Sequence, residues 1–139
     1  MTTLHLPDTT AWNRSGRTPA VHARWSALLD DDRLAICSPV RLELLYSARG
    51  PTDYAALADE LESLPELELG QAAVSRAEEV QALLAERGHH RAASIVDLYV
   101  AAVAELNDAV LLHYDRHFDA VAHVTGQPSE WVAPRGTLD

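Results

Sequence analysis

The chain contains no lysine; all eleven of its basic residues are arginine. That absence removes whole mechanisms. A P-loop needs a lysine on the phosphates. Schiff-base chemistry and pyridoxal phosphate catalysis need a lysine amine. Phosphoacceptor receiver domains and haloacid-dehalogenase-type phosphatases rely on one as well. Cysteine is nearly as scarce. Cys37 stands alone, which excludes an internal disulfide, a multi-cysteine zinc site and a CxxC redox pair. It lies in the apolar segment Leu34-Ala35-Ile36-Cys37 and reads as a buried thiol. No apolar run approaches the roughly 20 residues that span a bilayer. Met1 to Thr10 does not pair a basic stretch with an apolar one, so no signal peptide is expected. A cytoplasmic, non-membrane protein is the expectation.

What is present fits one globular unit. A length of 139 residues, with 47% hydrophobic and 23% charged, predicts a single domain over 1–139 with one substantial core. The formal net charge is -10. Proteins that grip nucleic acid through bulk charge are usually basic. A nucleic-acid partner is therefore compatible only if metal ions and local arginines overcome the global repulsion. An acidic surface also suits a basic protein partner.

Periodicity predicts alternating strands and helices. Leu4 to Asp8 reads as a brief strand, with Pro7 favouring an edge or strand end. Thr9 and Thr10 read as caps of a short helix beginning near Ala11. Ala20 to Leu29 has helical apolar spacing, and Asp30-Asp31-Asp32 reads as a solvated turn. Leu34 to Cys37 reads as a buried strand, with Ser38 and Pro39 as the N-cap and first residue of a helix running to Ala48. Further helices are predicted over Tyr54 to Leu64, Gln71 to Arg87 and Ala92 to Leu106. Short strands are predicted at Leu67 to Leu69, Val110 to Tyr114 and His123 to Thr125, with a short helix from Asp115 to Val121. The order implies an α/β sandwich with a mainly parallel sheet, whose sites gather at the carboxyl ends of the strands.

Four carboxylates stand where packing alone would not put them. Asp8 and Asp115 end strands; Glu43 and Asp97 interrupt apolar helical stretches, Asp97 in the middle of its helix. An unpaired buried carboxylate is costly unless neutralised, paired or bound to metal. Each also has a plain reading. Asp8 and Asp115 could cap helices, and Glu43 and Asp97 could face solvent. Taken together, both strand-end acids should converge on one rim, and the helical acids could face it. Clustered carboxylates repel, and a divalent cation resolves the repulsion. Oxygen ligands without thiolate favour magnesium or manganese, and such ions activate water against a phosphoryl group. The implied reaction is phosphodiester hydrolysis.

These segments resemble a known family. Leu6-Pro7-Asp8-Thr9-Thr10-Ala11-Trp12 resembles the opening motif of PIN domains. Ser38-Pro39-Val40-Arg41-Leu42-Glu43-Leu44-Leu45 resembles the second motif, and Ile95-Val96-Asp97-Leu98-Tyr99-Val100-Ala101-Ala102 the third. Leu111-Leu112-His113-Tyr114-Asp115-Arg116-His117-Phe118 resembles the fourth, a strand ending in Asp-Arg-x-Phe. The order and overall length look like the VapC toxins of VapBC toxin–antitoxin systems. The resemblance implies a PIN-like three-layer α/β/α sandwich. It implies a homodimeric endoribonuclease cutting RNA with Mg2+ or Mn2+. It also implies a cognate VapB-like antitoxin that pushes a basic side chain toward the acids. Asp8 and Asp97 would hold the metal, joined by Glu43 and Asp115, with Thr9 supporting the site. Pro7 and His117 depart from the pattern; His117 stands where many members carry another acid. The alternative is a non-catalytic PIN-like module that acts only by binding protein.

Other constellations are weaker. His113 and His117 are four apart but straddle a strand-to-helix change, which disfavours a histidine zinc site. No Gly-x-Ser-x-Gly occurs. Trp12, Trp25 and Trp131 read as packing or interface residues. Arg14, Arg17 and Arg116 fall near the expected rim, as phosphate contacts or as ordinary surface arginines.

Overall fold

The computed structural model describes residues 2–138. Three short strands, His5–Pro7 (β1), Val110–His113 (β2) and Ser129–Trp131 (β3), lie parallel in the order β1-β2-β3. Leu6 sits opposite Leu111, and Leu112 opposite Glu130. Successive side chains on a strand face opposite ways. Leu6 and Leu111 therefore enter one core, and Leu112 enters another.

The connecting segments supply the two outer layers. Between β1 and β2 the chain forms Thr9–Trp12 (α1), Pro19–Asp30 (α2), Ser38–Tyr46 (α3), Pro51–Glu62 (α4), Gln71–Glu86 (α5) and Ile95–Leu106 (α6); His117–Thr125 (α7) follows β2. The larger core joins Val80 and Leu84 of α5, Val100 and Val103 of α6, and Phe118 of α7 to the sheet. The smaller core joins Trp25 and Leu28 of α2 to Leu34, Leu112, Val132 and Leu138. Full burial of each large apolar side chain contributes about 1.5–3 kcal/mol. The result is an α/β/α sandwich.

Several elements differ from the sequence expectation. Leu34–Cys37 is not a strand but touches β1 through a single bridge, His5 to Leu34. The His5 N–H donates to the Arg33 carbonyl and the Ala35 N–H to the His5 carbonyl, both at 2.8 Å. Pro7, the next residue facing that side, has no N–H to extend the ladder. Leu67–Leu69 is not a strand either; Glu66 makes one bridge to Ile36, because α3 begins two residues later. His123–Thr125 forms the end of α7, not a strand. Phe118, Val121 and Val124 keep the helical period and pack on the core, and Gly126 at φ 72° closes the helix. The last strand is instead Ser129–Trp131.

Helix starts shift as well. Asp8, not Thr9 or Thr10, caps α1, because its backbone is extended (φ -80°, ψ 177°) while both threonines are helical. Ser38 is already helical, with Cys37 extended before it. Pro51 starts α4, its fixed φ suiting a first turn. The helix expected from Ala92 begins only at Ile95, and the one expected from Asp115 begins at His117. Asp97 therefore lies in the first turn of α6 and not in its middle. Among the described residues, no helix is long and apolar enough to cross a membrane.

Candidate metal centre

Asp8 follows β1 directly and is 4% exposed. Its Oδ1 accepts the Thr10 hydroxyl at 2.6 Å and the Ala11 N–H at 3.1 Å. Thr10 Oγ1 in turn accepts the Tyr114 N–H at 2.9 Å, tying the start of α1 to the end of β2. Burial pushes the Asp8 carboxyl up to about 7, against the pull of those hydrogen bonds. The charge of Asp97 raises it further.

Asp97 is half-buried and held by its own helix start. Its carboxylate accepts the Ser94 N–H at 3.2 Å, and its N–H donates to the Ser94 hydroxyl at 3.1 Å. This reciprocal pair is a capping box. Burial raises the Asp97 carboxyl, and the charges of Asp115 and Glu43 add to the rise. Asp115, just past β2, accepts the His117 N–H on Oδ1 at 2.9 Å. One ligand atom each from Asp97, Asp115 and His117 lies within 4.8 Å of the others.

Glu43 is exposed on α3. It accepts the Thr9 hydroxyl at 2.6 Å, so α1 and α3 are joined beside the acids. Neither Asp8 nor Glu43 belongs to the tight group around Asp115, but both are coupled to it through Asp97. Asp8 and Asp115 follow the neighbouring strands β1 and β2, Asp97 lies within ligand distance of Asp115, and Glu43 is tied to α1 through Thr9. Asp8 caps α1, and the charge of Asp97 adds to the rise in its pKa. Glu43 is at once solvent-facing and near the cluster.

Sequence reasoning missed three contributors. His117 is drawn into the acid group, 3.3 Å from Asp115. Thr10 bridges Asp8 and β2. Ser94 fixes Asp97, and the Ser-x-x-Asp spacing was a legible capping signal. His113 is not a partner for His117. Its Nδ1 accepts the Asp115 N–H at 3.2 Å, and its Nε2 meets Ser129 Oγ at 3.0 Å. Both nitrogens are occupied, and burial holds its pKa down. Beside the acids a cavity of about 510 Å³ opens between α3 and α6, lined by Pro39, Leu42, Tyr46, Val96 and Tyr99 among others. Leu42 is 68% and Tyr46 92% exposed there.

A parallel sheet with acids at the carboxyl ends of β1 and β2 defines an α/β protein built to gather carboxylates. A family model of the PIN domain matches residues 6–124, and the chain belongs to that family. Within it, the chain is 50% identical over 133 residues to Ribonuclease VapC18 of Mycobacterium tuberculosis, covering 94% of this chain and 96% of that one. It is 38% identical to Ribonuclease VapC21 of the same species, over 99% of both chains. Among solved structures, the DNA-bound VapBC from Salmonella typhimurium superposes at TM-score 0.76 with 19% identity, over 95% of this chain and 100% of that one. VapBC2 from Rickettsia felis, bound to a promoter DNA fragment, also gives 0.76, with 17% identity over 93% and 98%. At those identities the structures speak for the fold alone.

Proposed function

We propose that the chain is a single-domain, divalent-metal-dependent endoribonuclease that hydrolyses RNA phosphodiester bonds, the toxin of a toxin–antitoxin pair. One observation carries the reading: in a chain half-identical to a ribonuclease, Asp97 and Asp115 offer ligand atoms within 4.8 Å of each other, the charge of Glu43 acts on Asp97, and that of Asp97 acts on Asp8. The donor set is carboxylate oxygen, with one imidazole beside it and no thiolate. That chemistry fits Mg2+ or Mn2+. Asp8 and Asp97 would hold the ion, with Asp115 and Glu43 completing the shell. When bound, the ion supplies Lewis acidity to water and phosphoryl oxygen.

The chain's own residues do the positioning. Thr10 and the Ala11 N–H fix the Asp8 rotamer. Ser94 fixes Asp97, and Thr9 orients Glu43. Rigid donors of this kind keep a site within the tolerance that catalysis needs. The groove between α3 and α6 opens beside Glu43 and suits the apolar face of an antitoxin helix. A basic residue on such a segment would reach the acids. A homodimer in the cytoplasm completes the proposal.

The second reading, a non-catalytic protein-binding module, draws on His117 in place of a further acid. One assay separates the two. Labelled RNA is incubated with manganese and wild type, Asp8→Asn or Asp97→Asn protein. The nuclease reading expects cleavage by wild type only. Equal products from all three proteins would remove the catalytic assignment, and no cleavage with intact antitoxin binding would favour the module.

A further inference from the structure

We propose that the pocket beside Asp115 is a subsite for one unpaired nucleotide of the substrate RNA, with Arg116 and Arg135 on its phosphate and Trp131 stacking its base. This rests on the nuclease reading above. The pocket, about 270 Å³, is lined by Tyr114, Asp115, Arg116, Trp131, Arg135 and Gly136. Asp115 belongs to both the pocket and the acid group, so a nucleotide there is next to the proposed scissile position.

Trp131 is held as a fixed plate. Its indole N–H donates to Asp119 Oδ1 at 3.1 Å. Its ring meets His113 and Tyr114 edge-on, at 5.1 and 5.3 Å between centroids. Its carbonyl accepts from Arg24 at 3.2 Å. The Arg135 guanidinium lies 5.8 Å from the ring centroid. The tail carrying Arg135 is pinned on its far side. The Leu138 N–H donates to the Tyr114 hydroxyl at 2.8 Å, and Arg17 donates to the Leu138 carbonyl at 2.9 Å.

Arginine usage sharpens the point. Arg24, Arg41 and Arg76 each pair with glutamate. Among the described residues, the exposed guanidiniums of Arg116 and Arg135 have no hydrogen-bond or ion-pair partner. Arg49, Arg87 and Arg91 also have no guanidinium partner among the described residues, but Arg116 and Arg135 share one pocket with Trp131 and Asp115. A phosphodiester approaching four carboxylates needs positive charge at that place. Guanidinium matches phosphate in a bidentate fork, and sequence-tolerant RNA contacts combine charge with stacking. The base must be unpaired to stack, so the substrate segment is single-stranded.

The test is binding of a labelled, random-sequence 12-nucleotide RNA by fluorescence anisotropy in EDTA, across a salt series. Cleavage with manganese is measured in parallel. Each phosphate contact on a single strand contributes about 0.7 to the slope of log K against log salt. The double variant Arg116→Gln/Arg135→Gln is expected to bind at least tenfold more weakly, with a slope shallower by about 0.7 for the one phosphate released. Its KM should rise more than its kcat falls. Arg116→Lys/Arg135→Lys should keep the slope, because charge without the fork still releases counterions. Trp131→Leu, checked by its melting curve, should weaken binding without changing the slope, and Trp131→Phe should restore it. Superimposable salt plots for wild type and the glutamine variant, while wild type cleaves RNA, would overturn the subsite alone. Wild type that neither binds nor cleaves would overturn the nuclease reading and this proposal with it.

Discussion

One helix carries two carboxylates that the fold treats in opposite ways. Glu105, in the last turn of α6, is clasped by Arg76 of α5 through Nε at 2.7 Å and Nη2 at 3.1 Å. Asp97, in the first turn, pairs with no arginine among the described residues; Asp115 and Glu43 add negative charge. Eight positions along the same helix separate a neutralised acid from a crowded one. Glu130 with Arg24 and Glu66 with Arg41 repeat the Glu105 pattern elsewhere. The protein therefore has the means to pair its acids and does not use them at one rim. Uncompensated like charge in the folded state is a standing cost. Its persistence at this rim is what the proposed cation site would explain.

Substitutions on the two acids should break or sharpen that contrast. The largest effect is on cleavage. Asp97→Asn should lower the rate of RNA cleavage about 1,000-fold or more, equivalent to about 4 kcal/mol of barrier. Glu105→Gln should leave it within about twofold, read from initial rates under one manganese concentration. Comparable losses in both variants would erase the distinction.

Next in size is a pH effect in metal-free protein. The folded state holds the Asp8 carboxyl up at about 7, above its ordinary value near 3.8. Over that window the folded chain binds more proton than the unfolded one. Stability from this group is thus complete below about pH 4 and is lost as pH rises through about 7. The full swing is on the order of 4 kcal/mol. Urea unfolding in EDTA at pH 5 and pH 8 should show the fall, and Asp8→Asn should flatten it. A steeper loss in the variant would contradict the assignment to Asp8.

Smaller effects concern structure alone. Glu105→Ala should destabilise the fold by about 1 kcal/mol, because Arg76 loses a two-point hydrogen bond but keeps Glu79. Ser94→Ala, which removes half of the capping box, should cost about 1 kcal/mol. Denaturant melts measure both. Ser94→Ala leaves the Ser94 N–H on the Asp97 carboxylate, so neither it nor Glu105→Ala should appreciably weaken manganese affinity.

Much of this was legible in the sequence for a simple reason. Strand ends and helical apolar spacing are local signals, so the positions of Asp8 after β1 and Asp115 after β2 could be read directly. Helix boundaries were less legible where side chains compete for caps. Asp8 outcompetes Thr9 and Thr10 because only its backbone is extended. Ser94 sets the start of α6 three residues later than apolarity alone suggested. β3 was invisible because Ser-Glu-Trp has no strand pattern; its pairing with β2 makes it a strand. The role of the tail was hidden for the same reason. Arg135 and Trp131 meet Arg116 only after residues 126–138 return to the sheet. Pro7 was read as a sheet-edge or strand-end signal, and it is the last residue of β1, an edge strand of the sheet. That it also stops the ladder toward Ala35 requires knowing the neighbour.

Manganese binding tests the central claim most directly. The free-ion paramagnetic resonance signal is followed as protein is added at pH 7.5. Wild type should quench the signal stoichiometrically, Glu105→Gln should match it, and Asp8→Asn and Asp97→Asn should leave the signal nearly free. Quenching that survives both asparagine substitutions, or no quenching by wild type, would contradict a cation site among these acids.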